Sequence, residues 1–271
     1  MRGSLRAFGT LLVVVGLGVL GWAVLVWQWE DPFTSVYTAL EQRGLESEYE
    51  RERKRFRPAP RTRVSPRAPT LTDRRRTLAL EARRYARRVE PGAAIGRIVV
   101  PRLGVNMLMV NGTDSATLKR GPGRYLGSAM PGAGELVYIA GHRTTYAAPF
   151  SRIETLRTGD RVTIEVPYGR FEYRVVGHTV VPATALRVLR SRGREEIALQ
   201  ACHPRFFATE RYIAYARPVS VLPRGGSAFS LAGGNVPFPP AGPPSLQSAV
   251  PEQRLGLPPG QAGLRPRNSA L

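Results

Sequence analysis

Four patterns follow one another along the chain. From Ala7 to Trp29 no residue is charged, and Leu, Val and Gly dominate. At ~1.5 Å per residue such a run spans about 35 Å as a helix, enough for a ~30 Å hydrocarbon core. Residues 32–91 are instead crowded with Arg, with possible short helices over Val36 to Tyr49 and Thr72 to Arg88. Between these helices Pro58, Pro60, Pro66 and Pro69 argue against a packed core. Residues 92–222 change again, to short alternating apolar runs separated by Gly and Pro. The last stretch, 223–271, is rich in Pro, Gly and Ser without apolar periodicity, and is expected to be disordered.

The third segment reads as strands. Ile95 to Val100 and Met107 to Val110 open it, Glu135 to Ala140 follows a Gly/Pro turn, and Asp160 to Val166 alternates cleanly. Tyr168-Gly169 turns the chain into Phe171 to Val176. Glu196 to Ala201 and Arg211 to Ala216 complete the set. Short helices are expected around Ser115–Lys119, Phe150–Leu156 and Ala183–Leu189. Several short strands with turn signals predict a small, mainly β barrel, and about 130 residues bury an adequate core without disulfides.

Charge refines the picture of the ends. Arg2 and Arg6 precede the apolar run, and Glu30 and Asp31 follow it, which predicts one transmembrane helix with a cytoplasmic N-terminus. Residues 1–31 then form the anchor, 32–91 an extracellular stalk, and the barrel lies outside the cell. Trp22, Trp27 and Trp29 sit where an interfacial aromatic belt would lie. The run is long for a signal peptide, and no clear Ala-x-Ala site follows it. The net charge of +20 would suit nucleic acid. Much of the excess, however, falls between Arg51 and Arg88, without interleaved aromatics or a recognised motif, so no nucleic-acid partner is expected. Those arginines can instead lie against anionic headgroups or wall polymers.

One cysteine excludes an intrachain disulfide and a cysteine-rich zinc site. The three histidines, at 142, 178 and 203, show no ligand spacing, so neither a metal nor a cofactor is expected. Cys202 ends a strand in which Ile197, Leu199 and Ala201 share one face, placing Cys202 opposite with Ala198 and Gln200. His142 ends another strand after Gly141, and Arg211 begins the strand after Cys202. A nucleophile, an acid/base and a fixed cation at strand ends make a workable set for acyl transfer. By spacing alone the bland alternatives stay open: a packed Cys202, a His142 that caps a turn, an outward Arg211. His178 is expected on a strand surface. His203 adjoins Cys202 but faces the other way.

Two strings narrow the choice. Ala140-Gly141-His142-Arg143-Thr144-Thr145-Tyr146-Ala147-Ala148-Pro149-Phe150 and Leu199-Gln200-Ala201-Cys202-His203-Pro204-Arg205-Phe206-Phe207-Ala208-Thr209-Glu210-Arg211-Tyr212-Ile213, with Arg211 nine residues after the cysteine, resemble the signature regions of sortases. The wording is most similar to class E sortases of high-GC Gram-positive bacteria. The resemblance covers about residues 92–222 and implies an eight-stranded β-barrel with short connecting helices. It also implies a cysteine transpeptidase acting on Leu-Pro-x-Thr-Gly or Leu-Ala-x-Thr-Gly signals between Thr and Gly. The expected partners are proteins bearing such signals, an amine of cell-wall precursor or pilin, and the membrane. By this resemblance Cys202 is the nucleophile, His142 the general acid/base, and Arg211 the substrate and oxyanion ligand. Substrate-contacting positions beyond these are not assigned. One departure is Ala201, where the family usually has Thr. Any oxyanion contact from that Thr hydroxyl is then missing, which is the best argument for the alternative of an inactive, membrane-tethered binding module.

Overall fold

The computed structural model describes residues 2–28, 32–58 and 69–231. Three helices come first: α1 (Arg2–Gln28), α2 (Pro32–Arg55) and α3 (Leu71–Arg88). The strands β1 (Ala94–Val100) and β2 (Val105–Asn111) follow, then the short helix α4 (Ser115–Arg120), β3 (Gly123–Arg124) and β4 (Leu136–Ala140). The chain continues through β5 (Arg161–Val166), β6 (Gly169–Pro182), β7 (Glu196–His203), β8 (Glu210–Pro223) and a two-residue β9 (Phe229–Ser230).

The sheet runs β6-β5-β1-β2-β3-β4-β7-β8, and pairing of β6 with β8 closes it into an eight-stranded barrel. Closure leaves no long open edge to pair with another chain. β9 adds to the free side of β8 at Ser220 and Val221. Most links are antiparallel, but β4 and β7 pair in parallel, with Ala140 opposite Gln200. That parallel pair matters most for function, because it sets the ends of β4 and β7 level. The core takes one face of each strand, including Ile98, Ile139, Ile164, Phe171, Leu199 and Ala214. A smaller cluster of Leu136, Tyr138, Val181, Ala198 and Ile213 lies on the other face, with Ala185, Val188 and Leu189 packed over it.

The stalk expected over residues 32–91 is corrected in its described parts, which pack on the barrel. Leu45 and Tyr49 of α2 are buried against Ala94, Leu108 and Val110. Phe56 enters the main core with Leu78, Ala82 and Tyr85. The contact is also polar. Gln42 uses its side-chain amide as a peptide group would, accepting from Leu108 N–H at 2.7 Å and donating to Leu108 C=O at 3.1 Å. Thr70 and Asp73 form a capping box that starts α3. The prolines at 60 and 66 lie outside the described residues.

Other expectations shift at their boundaries. Phe150–Leu156 and Ala183–Leu189 contain only single 3-10 turns, Ile153–Thr155 and Leu186–Leu189. Residues 223–231, expected to open a disordered tail, are ordered instead, since β9 pairs with β8 and Leu231 C=O accepts from the buried Arg75 at 3.1 Å. Residues 232–271 lie outside the described residues. Helix α1 has 27 residues, and Phe8, Leu11, Val13, Leu17 and Leu20 expose their side chains. Among the described residues, no helix is long and apolar enough to cross a membrane. The side chains of residues 23–28 fall outside that description, so the expected anchor rests on the sequence.

Candidate active site

Cys202 and Arg211 are direct partners across the antiparallel pair β7–β8. Cβ atoms of such partners lie about 4.5–5.5 Å apart on one face of the sheet. On the other side of β7, Ala140 of β4 is opposite Gln200, and Gly141 N–H donates to Gln200 C=O at 3.0 Å. His142 follows Gly141 directly, just past the end of β4, and its neighbour Arg143 reaches the Cys202 carbonyl. The structure thus pairs Cys202 with Arg211 and places His142 in the loop that leaves the strand beside β7. Alternation gives the face: Tyr138, Ala198 and Ile213 share the outer cluster, two or four residues from the site residues on their own strands.

The three differ in how they are held. Cys202 is partly exposed, as a nucleophile must be to meet a substrate. Arg211 is buried, and its Nη1 donates to Ala208 C=O at 2.7 Å and Glu210 C=O at 2.8 Å. Two carbonyls of the connecting turn thus fix one arm of the fork. Its Nε and Nη2 have no acceptor among the described residues, which leaves them for a ligand. Burial, and then the charge of Lys119, push the His142 imidazole down to about 4. It is therefore neutral at physiological pH.

A second set lies on the reverse face, one residue out of phase. Arg143 is buried, and its Nη1 donates to Cys202 C=O at 3.0 Å and approaches His203 Nδ1 at 2.7 Å. Its Nη2 pairs with Glu154 at 2.8 Å. A guanidinium carries no acceptor, so Nδ1 of His203 accepts and its proton sits on Nε2. The His142 loop is thereby clamped to the backbone of the nucleophile. His203 faces away from the thiol, as strand alternation requires, and its ring lies 6.1 Å from that of Tyr212. His178 is an exposed strand residue whose ring stacks on Tyr212 at 5.0 Å.

Ala201 is fully buried in the main core beside Leu199 and Tyr212. A side chain at 201 therefore points to the core side of β7, away from the face that carries Cys202 and Arg211. The expectation that alanine removes a hydroxyl from the oxyanion site is corrected on this ground. Sequence reasoning did not assign Arg143, Glu154, Tyr138 or Tyr146 to the site. Arg143 and Tyr146 carried a signal, in their places within the string around His142. Among the described residues no group of three or more His, Cys, Asp or Glu side chains is placed to hold a metal ion.

A closed β-barrel that pairs a partly exposed Cys202 with Arg211, beside the loop that carries His142, has the groups that cysteine acyl transfer uses. The family model for the sortase domain matches residues 98–219. Sortase D of Bacillus subtilis is 30% identical over 135 residues, covering 48% of this chain and 67% of that protein. Sortase SrtE1 of Streptomyces coelicolor is 31% identical over 154 residues, covering 50% of this chain but only 43% of that protein. The solved sortase D5 transpeptidase of Clostridium perfringens superposes with a TM-score of 0.52 at 20% identity, over 66% of this chain and 98% of that one, and shows the shared fold. The chain belongs to the sortase family of cysteine transpeptidases.

Proposed function

We propose that this chain is a membrane-anchored transpeptidase that cleaves a sorting signal between Thr and Gly and passes the Thr acyl group to an amine. The observation that carries this reading is the pairing of Cys202 with Arg211 across β7 and β8, with His142 in the loop that leaves the neighbouring β4. The Cys202 thiol gives its proton to neutral His142 as sulfur attacks the Thr carbonyl. Arg211 offers Nε and Nη2 to the oxygen that takes up negative charge. The C–N bond to Gly breaks, the His142 imidazolium protonates the leaving amine, and a thioester remains on Cys202. The acceptor amine then attacks the thioester, loses a proton to His142, and restores the thiolate, which His142 reprotonates.

The substrate is a peptide of the Leu-Ala-x-Thr-Gly or Leu-Pro-x-Thr-Gly type. The outer face beside the site supports an apolar ligand residue, since Val181, Ala185, Val188 and Leu189 gather there. The wording around His142 and Cys202 favours a class E member. The uncharged run from Ala7 to Trp29, with its flanking charges, supports a single-pass anchor with the barrel outside the cell. The acceptor is an amine of cell-wall precursor or pilin.

The full-length protein in detergent should be given both peptide types with a defined amine, and the products read by mass spectrometry. Cleavage at Thr–Gly with the amine joined to Thr is expected. Cleavage elsewhere, or none with either peptide, contradicts the reading. The full-length chain is needed because a piece that starts at about residue 72 would lose α2 and uncover the core around Tyr85.

A further inference from the structure

The imidazole of a catalytic histidine has to be held at a fixed angle, commonly by a hydrogen bond from its far nitrogen. Nε2 of His142 is buried and has no partner among the described residues. Packing must therefore orient the ring, and the ring against it is Tyr146, with centroids 5.0 Å apart and planes at 42°.

Tyr146 is itself in a conformation that needs support. Tyr146, Ala147 and Ala148 have φ of 54°, 58° and 32°, a left-handed run that L-residues rarely adopt. Such backbone persists only where its surroundings hold it. Here the support comes from elsewhere in the chain. Tyr146 N–H donates to Thr34 Oγ1 at 2.8 Å, and Tyr37 meets its ring edge-on with centroids 6.1 Å apart. Lys119 Nζ lies 5.6 Å from the centroid of the same ring. The C=O of Lys119 accepts from the buried Thr38 Oγ1 at 2.9 Å, so α2 also fixes this third neighbour.

We infer that Tyr146 is a positioning residue for His142, and that the first two turns of α2 set its place. The inference rests on the acyl-transfer reading of the site, and gives the N-terminal region a role in it. Thr34 follows the end of α1 at Gln28 by six residues, a reach of at most about 21 Å. The segment that braces the catalytic loop is thus the one next to the apolar helix. Of the charged and titratable groups, Tyr146 packs on the His142 ring and Lys119 of α4 acts on its charge. Tyr37 of α2 reaches only Tyr146, and Arg143 of the same loop turns to Cys202 C=O, His203 and Glu154. Beyond these lie Glu154 on the 3-10 turn, Cys202 on β7 and Arg211 on β8. Of these charges, Lys119 acts on the imidazole directly, adding to the effect of burial.

The test uses the full-length chain in detergent with Tyr146→Asn, Tyr146→Phe and Thr34→Val. Asn tolerates the left-handed backbone while removing the ring, so the loop can keep its path. His142 is titrated by NMR on histidine-labelled protein, with His142→Gln assigning its signal, and needs no substrate. In the unaltered protein and in Tyr146→Phe it should titrate near 4. In Tyr146→Asn the exposed imidazole should move at least about one unit toward the ordinary ~6.5, and in Thr34→Val by less in the same direction. With a sorting peptide, Tyr146→Asn should lose about 10-fold or more in kcat at little change in KM, and Tyr146→Phe should retain it. A folded Tyr146→Asn protein with unmoved titration and normal kcat overturns the inference. So does a lower melting temperature with neither change, which makes Tyr146 a structural residue. A shifted titration in a protein whose unaltered form never cleaves any peptide supports the positioning contact and rejects the transpeptidase reading.

Discussion

The two faces of the β4–β7–β8 patch differ by one residue in phase and by everything in chemistry. On one face stand His142, Cys202 and Arg211, with a partly open thiol and two free arms of a guanidinium. On the other stand Arg143, Ala201, His203 and Tyr212, buried or packed together and bonded to one another's backbone and rings. Both faces use an arginine. Arg211 is held by carbonyls so that part of it stays available, whereas Arg143 spends Nη1 and Nη2 on Cys202, His203 and Glu154. A β-strand end can therefore carry reactive groups and their supports in neighbouring positions, because alternation keeps them apart.

The largest effect expected from disturbing this division is at Arg211. Lysine has a compact ammonium on a flexible stem and cannot both bond the turn carbonyls and direct two donors at an oxyanion. Arg211→Lys should lose at least about 10²-fold in kcat/KM while Cys202 still reacts with a small alkylator. Near-normal turnover would reject Arg211 as the oxyanion ligand. Arg143 comes next. Arg143→Met leaves Cys202 C=O without its donor, and should lower unfolding free energy by about 2 kcal/mol and turnover by about 10-fold. If turnover fell as in Arg211→Lys with stability unchanged, Arg143 would belong to the reactive face.

Titration sharpens the comparison from another side. The His142 pKa is depressed in the folded chain, so its burial costs nothing well above the unfolded value of ~6.5. As pH falls from there toward about 4, the unfolded chain takes up a proton that the folded one refuses, and stability is lost. Denaturant melts of the parent and His142→Gln should diverge over this window, the parent losing more. Parallel curves would show that His142 is not shielded as described. The smallest effect is reserved for Ala201. Its core-side position predicts that Ala201→Thr changes turnover per folded molecule by less than about 2-fold, at a packing cost of about 1–3 kcal/mol. A clear gain in turnover would place that hydroxyl on the reactive face after all.

Much of the reactive face was legible because it obeys strand alternation. The run Ile197, Leu199, Ala201 announced the core side of β7 and hence the side of Cys202, and the two signature strings supplied the partners. The region before the barrel was misread for a physical reason. Helix α2 packs through a narrow stripe of Thr38, Gln42, Leu45, Tyr49 and Phe56 set among charged residues. Much of that contact is hydrogen bonding, as between Gln42 and Leu108 or Glu48 and Ala94, and leaves no apolar periodicity to detect. The support of His142 by Tyr146 was hidden for a different reason. It depends on a left-handed turn built from Tyr and Ala, with no glycine to mark it, and on a contact 112 residues away in the chain.

The central claim, that Cys202 performs acyl transfer with His142 and Arg211, is tested most directly by trapping the intermediate. Full-length protein mixed with a sorting peptide and no amine should gain the mass of the Thr-terminated fragment on Cys202, released on adding the amine. Cys202→Ala, a small change in volume, should fold and melt like the parent and gain nothing. A peptide adduct on another residue, or equal cleavage by Cys202→Ala, would contradict the account.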